Sequence, residues 1–162
     1  MKKFIALFAL MVITLASYAQ VYKMYNTRNY HNQLRLNTMT GEVQQIQDDG
    51  QSWIVCSARE ISGDKESRFR LYETQNMWTF ILLDSYNGRL WQVQYSAQDL
   101  DNLFCIPINK YELVSDNENC IFSIQPVTSM YQYYLINDRT GDMWKFQWST
   151  KGDDYRWIEK FK

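Results

Sequence analysis

Histidine occurs once in this sequence, as His31, and proline only twice. One imidazole is too few for a histidine-based metal site, and no C-x-x-C pair stands in for the missing ligands. Any Ser–His–Asp arrangement would have to run through His31. G-x-S-x-G, H-E-x-x-H, a Walker glycine loop and G-x-G-x-x-G are all missing. The residues therefore offer no catalytic set, no metal site and no cofactor. Positive charge is not in excess either: 17 lysines and arginines stand against 18 acids. A chain without a basic surplus is poorly equipped to neutralise phosphates, which argues against nucleic acid as a partner.

Long apolar runs are also scarce, and the one present opens the chain. Lys2 and Lys3 precede an apolar stretch from Phe4 to Leu15, and Ser17-Tyr18-Ala19 forms a small-x-small cleavage site. Residues 1–19 read as an export signal, too short for a comfortable membrane span. No cysteine follows the run at the cleavage point, so a lipid anchor is not expected. Cleavage leaves residues 20–162 as a single all-β domain with no membrane span, exported to the periplasm or the exterior. Cys56, Cys105 and Cys120 remain in that domain. An exported chain can hold disulfides, and Cys105–Cys120 is the pair closest in sequence. The odd count leaves one thiol free or paired between molecules, and the pairing stays open.

What the sequence has in abundance is tyrosine and tryptophan, 12 and 6 residues, which suits strands. They are arranged in triplicate. Phe69–Gln94 registers without a gap on Phe122–Gln147, and again on Tyr22–Gln47. Each copy centres on a turn glycine, Gly41, Gly88 or Gly141. An aromatic stands nineteen residues before it (Tyr22, Phe69, Phe122). An amide or carboxylate stands four before (Asn37, Asp84, Asn137), and a glutamine six after (Gln47, Gln94, Gln147). Repeats of this period build quasi-equivalent units. The approximate limits are 20–66, 67–119 and 120–162. The glycine is the residue that most cheaply closes a hairpin at positive φ, and the Asn or Asp is expected to cap the turn amides.

Alternation along a strand assigns faces. After the turn, one face carries Trp91, Val93 and Tyr95 in the second copy and Trp144, Phe146 and Trp148 in the third. The first copy has the weaker Gln44, Ile46 and Asp48. This aromatic face is expected to be core. The opposite face, with the glutamines, is expected to be solvated or gathered near a three-fold axis as the copies close on one another. Four short strands per copy are predicted, near 21–25, 33–36, 42–47 and 52–57, then 68–72, 77–83, 89–95 and 102–106, then 121–125, 130–136, 142–148 and 155–160. Residues 99–103 are an alternative helical turn. Twelve strands in three units fit a small three-bladed propeller-like assembly or a β-trefoil. FILLDSYNGRLWQVQ and YYLINDRTGDMWKFQ resemble the L-D-x-x-T-G-x-x-W hairpins of propeller blades, the quinoprotein-type repeats in particular. The resemblance implies a blade-like meander and carries over no quinone or metal ligands, so the bladed form is the preferred expectation.

Acidic pairs at Asp48–Asp49 and Asp153–Asp154 adjoin Gly50 and Gly152 and read as solvated turns rather than glycosidase carboxylates. His31 aligns with Trp78 and Tyr131 and reads as an aromatic-sized filler on a strand. Trp78, Tyr131 and Tyr30 are the candidate ligand platforms, because an exposed ring offers a flat apolar face to a sugar; Asn76, Asn29 and Ser129 stand beside them. Gln47, Gln94 and Gln147 are the second candidate set, either a polar ligand site at an axis or an amide network locking the copies together. The expected function is a non-catalytic exported module that binds a glycan or a protein. An inhibitor or neutralising partner of another envelope protein is the alternative, and a hydrolase ranks third.

Overall fold

The structure, a computed structural model, describes residues 20–97, 99–116 and 121–162. Residues 1–19, read above as an export signal, and Cys120 lie outside the described residues. Twelve strands form three separate four-stranded antiparallel sheets. The first holds β1 (Tyr22–Asn26), β2 (Asn32–Asn37), β3 (Val43–Gln47) and β4 (Ser52–Cys56). The second holds β5 (Phe69–Glu73), β6 (Thr79–Asp84), β7 (Leu90–Gln94) and β8 (Phe104–Pro107). The third holds β9 (Phe122–Pro126), β10 (Gln132–Asn137), β11 (Met143–Gln147) and β12 (Trp157–Lys160). Each sheet is a meander in chain order. The fold is all-β and three-bladed, as the repeats imply. A trefoil would need strands from all three copies in one barrel, and no sheet mixes copies. Among the described residues helix is confined to one turn, α1 (Ala58–Ile61), and two 3-10 turns, at Leu100–Asn102 and Asp153–Tyr155. In the connector after β4, Ser57 accepts a bond from the Arg59 amide at 3.2 Å and caps α1.

The central turns are alike in all three copies. Gly41, Gly88 and Gly141 have φ of +79, +76 and +76°. Each glycine amide donates to the carbonyl four residues earlier, on Asn37, Asp84 and Asn137. The side chains of those residues accept from amides further round the turn: Asn37 from Met39 and Thr40, Asp84 from Tyr86, Asn137 from Arg139 and Thr140. Asp84 is thus a turn cap. Its other oxygen takes two bonds from Arg68, at 2.9 and 2.7 Å, and Arg68 continues to Asp116 at 2.8 Å. Burial pushes the Asp84 carboxyl up, and the Arg68 guanidinium opposes that rise.

Packing between sheets departs from the expected closure around an axis. Among the described residues two hydrophobic clusters form, and both use the second sheet. One joins it to the first sheet through Leu34, Leu36, Val43 and Val55 against Leu71, Leu82, Trp91 and Val93. The other joins it to the third through Ile81, Leu83 and Leu90 against Ile124, Leu135, Trp144 and Phe146. Neither joins the first sheet to the third. The sheets form a row, each laying its glutamine face on the aromatic face of the next. The glutamine face is therefore not solvated in the first two copies: Gln45 and Gln92 are fully buried. β6 is buried along its whole length because both its faces are covered.

The ends of the row explain where the copies diverge. Across the aromatic face, Leu71–Leu82–Trp91 and Ile124–Leu135–Trp144 are registered rows. The first sheet has Met24–Arg35–Gln44–Ile54 there. That row faces no preceding sheet, and Arg35 bonds Gln44 at 2.5 Å instead. On the glutamine face, Tyr25–Leu34–Gln45 and Tyr72–Ile81–Gln92 become Gln125–Tyr134–Lys145–Glu159 in the third sheet, which faces no following one.

Repeated bonds hold neighbours in place. The Phe69 amide donates to Thr38 O at 2.9 Å, and the Phe122 amide to Ser85 O at 2.8 Å. Cys56 on β4 is bonded to Cys105 on β8, 49 residues on, so the sequence-nearest pairing Cys105–Cys120 is not the one formed. The fourth strands of consecutive copies stand side by side, which sequence distance does not register. A loop of that length gives the cross-link about 4 kcal/mol in the chain-entropy account.

Candidate functional site

At one end of every sheet, the residue just before the second strand meets the residue just after the third. The pairs are His31 with Asp48, Trp78 with Tyr95, and Tyr131 with Trp148. In each, the later amide donates to the earlier carbonyl, at 3.0, 3.1 and 3.1 Å. In the second and third copies the rings also pack, with centroids 5.3 and 5.0 Å apart. The Tyr95 hydroxyl then donates to Met77 O at 2.6 Å, and the Trp148 indole N–H to Met130 O at 3.1 Å. Burial pushes the Tyr95 phenol up, which keeps it a proton donor. In the first copy the pair is polar: His31 Nδ1 lies 2.5 Å from Asp48 Oδ2, and that bond holds the Asp48 carboxyl below its ordinary value. His31 is therefore not a strand filler. It stands in the turn before β2, half exposed, with its Nδ1 hydrogen-bonded to the Asp48 carboxylate.

The two candidate sets of the sequence reading meet at this place, in pairs. Trp78 and Gln94 line one depression of about 610 Å³, with Asn29, Tyr95, Ser96, Ala97, Asp99 and Asn102. Tyr131 and Gln147 line its counterpart on the third sheet, about 170 Å³, between Trp148, Ser149 and Tyr155. Tyr30, His31 and Gln47 line a third on the first sheet, about 160 Å³. The glutamines do not converge at an axis or bond one another. Gln94 and Gln147 each donate to a carbonyl eight residues on, Asn102 O at 3.4 Å and Tyr155 O at 3.0 Å. Gln47 reaches Ala97 O on the second sheet at 3.3 Å. Of the platforms, Tyr30 is 84 % exposed and Tyr131 38 % exposed, and Trp78 is half-buried against the first core cluster. Asn29, Asn76 and Ser129 share one role: their side-chain oxygens accept from the amides of His31, Trp78 and Tyr131.

The Trp78 depression is the most elaborated of the three. The connection from β7 to β8 is nine residues long, against four between β3 and β4. The extra length lays Asp99 and Asn102 beside the ring. Gln45 of the first sheet fixes Ser96, donating to its carbonyl at 2.6 Å and accepting from its amide at 3.1 Å. Ser96 Oγ accepts from the Asp99 amide, and Asp99 accepts from the Asp101 amide and the Asn102 side chain. A ring face bordered by held amides is a surface for a ligand carrying both C–H and hydroxyl groups. Asp99 places a carboxylate on its wall. Among the described residues no three His, Cys, Asp or Glu are placed to hold a metal ion.

Sequence reasoning missed Asp99 and Asn102 as site residues and Gln45 as their support. The available signal was length: the second and third copies share the longer third connection, and the first lacks it. Comparison with protein families, with curated proteins and with solved structures finds no match to this chain.

Proposed function

We propose that the protein is an exported, non-catalytic carbohydrate-binding module whose principal site is the Trp78 depression. The observation that carries this reading is the pairing of a half-buried indole with side-chain amides, Gln94 and Asn102, in one depression of about 610 Å³. The ring presents an apolar face, and the amides can donate to and accept from hydroxyls. Asp99 is already engaged as a cap, so it serves orientation rather than proton transfer. Export accords with the disulfide between Cys56 and Cys105. The test is calorimetric titration of the protein with soluble cell-surface polysaccharides, beside Trp78→Ala and Asn102→Ala variants. Binding that falls at least about tenfold in Trp78→Ala, a loss of about 1.4 kcal/mol, is the expected result. Affinity unchanged in both variants rejects the site.

A further inference from the structure

The Trp78 depression does not end at its own wall. Ser96 and Ala97 also line a second depression of about 230 Å³, with Trp53, Gln51 and Leu100. That one shares Gln47 with the Tyr30–His31 depression. Three hollows are thus chained by common walls across the first and second sheets. Each has an aromatic ring: Trp78, Trp53 and Tyr30. Each has a glutamine: Gln94, Gln51 or Gln47. Among the described residues no lysine or arginine lines any of them, while Asp99 lines the first and Asp48, bonded to His31, the last. The hollow on the third sheet shares none of these residues and contains Lys151.

We infer that these hollows form one groove for a linear oligosaccharide of uncharged or amino sugars, with successive units over Trp78, over Ala97 and over Trp53. This rests on the carbohydrate reading of the Trp78 depression and extends it to chain length and charge. Each hollow repeats the pairing of a ring with an amide, the chemistry that holds one sugar unit. Trp53, Gln94 and Gln47 sit on strands, and Gln45 bonds Ser96 in the connection between the first two hollows, so each added unit meets a surface already in place. The Asp99 carboxylate on the wall of the Trp78 hollow disfavours uronates and sulfated chains there and favours neutral or protonated amino sugars.

The experiment is calorimetry on the intact protein with three ladders, each from monosaccharide to hexasaccharide: cello-oligosaccharides, glucosamine oligomers and oligogalacturonates. Affinity for a neutral or amino ladder should rise about tenfold from disaccharide to pentasaccharide, and the uronate ladder should not bind. Trp53→Ala should remove most of that gain and leave disaccharide binding unchanged, whereas Trp78→Ala lowers both. Gln51→Ala, which removes an amide that lines only the Trp53 hollow and leaves its ring in place, should repeat the Trp53→Ala result if that variant does not fold. Trp78-dependent binding that is flat with chain length overturns the groove and leaves the single-site reading intact. Preference for uronates overturns the charge assignment. Binding to no sugar, or to a neutral peptide of like length and no sugar, overturns the carbohydrate reading and the groove with it.

Discussion

Gln45 and Gln92 hold the same position in consecutive sheets and make unequal use of it. Gln45 donates to Asn32 Oδ1 at 2.5 Å and to Ser96 O at 2.6 Å, and accepts from the Ser96 amide. Gln92 accepts from the Ser149 amide at 3.2 Å, and its Nε2 is buried without a partner among the described residues. The difference traces to one neighbour. Where the first sheet has Asn32, the second has Thr79, whose hydroxyl is also buried and unpartnered. Removing a fully bonded amide strands several groups, whereas removing one already half-unpaired relieves part of its own penalty. Gln45→Met should therefore cost about 2–3 kcal/mol and Gln92→Met less than about 1 kcal/mol, measured by urea unfolding. Equal losses would show that the amide bonds between sheets are not what separates the two sites.

The turn between second and third strands shows how an element answers to what lies beside it. All three glycines share one backbone conformation, so alanine at any of them carries the left-handed penalty of about 1–2 kcal/mol. Their surroundings differ. A Cβ on Gly41 would come within 2.5 Å of Ile61 and 3.0 Å of Phe69, while one on Gly141 meets nothing within 4 Å. Ile61 is brought there by α1, and Phe69 opens the next sheet; the third turn has no next sheet. Gly41→Ala should thus lower stability well beyond Gly141→Ala, by about 1–3 kcal/mol of overpacking. Thermal melts of the pair check this, and matching melting temperatures would place the glycine requirement in the backbone alone.

At the scale of the molecule, head-to-tail packing of identical units has no intrinsic stop. The row ends because its outer faces have been changed. Arg35 and Gln44 stand where the second sheet has Leu82 and Trp91, and Lys145 stands where Gln45 and Gln92 anchor a neighbour. Capping units with polar outer faces serve this purpose in repeat proteins. Restoring both ends, with Arg35→Leu and Gln44→Trp on one face and Tyr134→Leu and Lys145→Gln on the other, should produce concentration-dependent head-to-tail association. Sedimentation velocity reads it directly. If the variant keeps the parent's sedimentation coefficient across concentration, the polar rows are not what limits the row to three.

Much of this was legible along the chain. Strand alternation, turn glycines and Asn or Asp caps are local, set by backbone sterics and bonds spanning a few residues. Copies of one local pattern must fold into copies of one meander, so the repeat, its strands and its turns follow from the residues alone. The ring and glutamine candidates were also visible, because equivalent positions recur at fixed offsets. What the tertiary structure decided is which copy touches which. Gln44 reads as a weaker copy until the row shows that its face, which it shares with Arg35, is one of the ends. Cys56 and Cys105 read as unrelated until β4 and β8 lie side by side, and Trp78 and Gln94 as separate features until one sheet end joins them. Contact between sheets depends on stacking direction and on the whole of two surfaces, and neither quantity is encoded at any single distance along the chain.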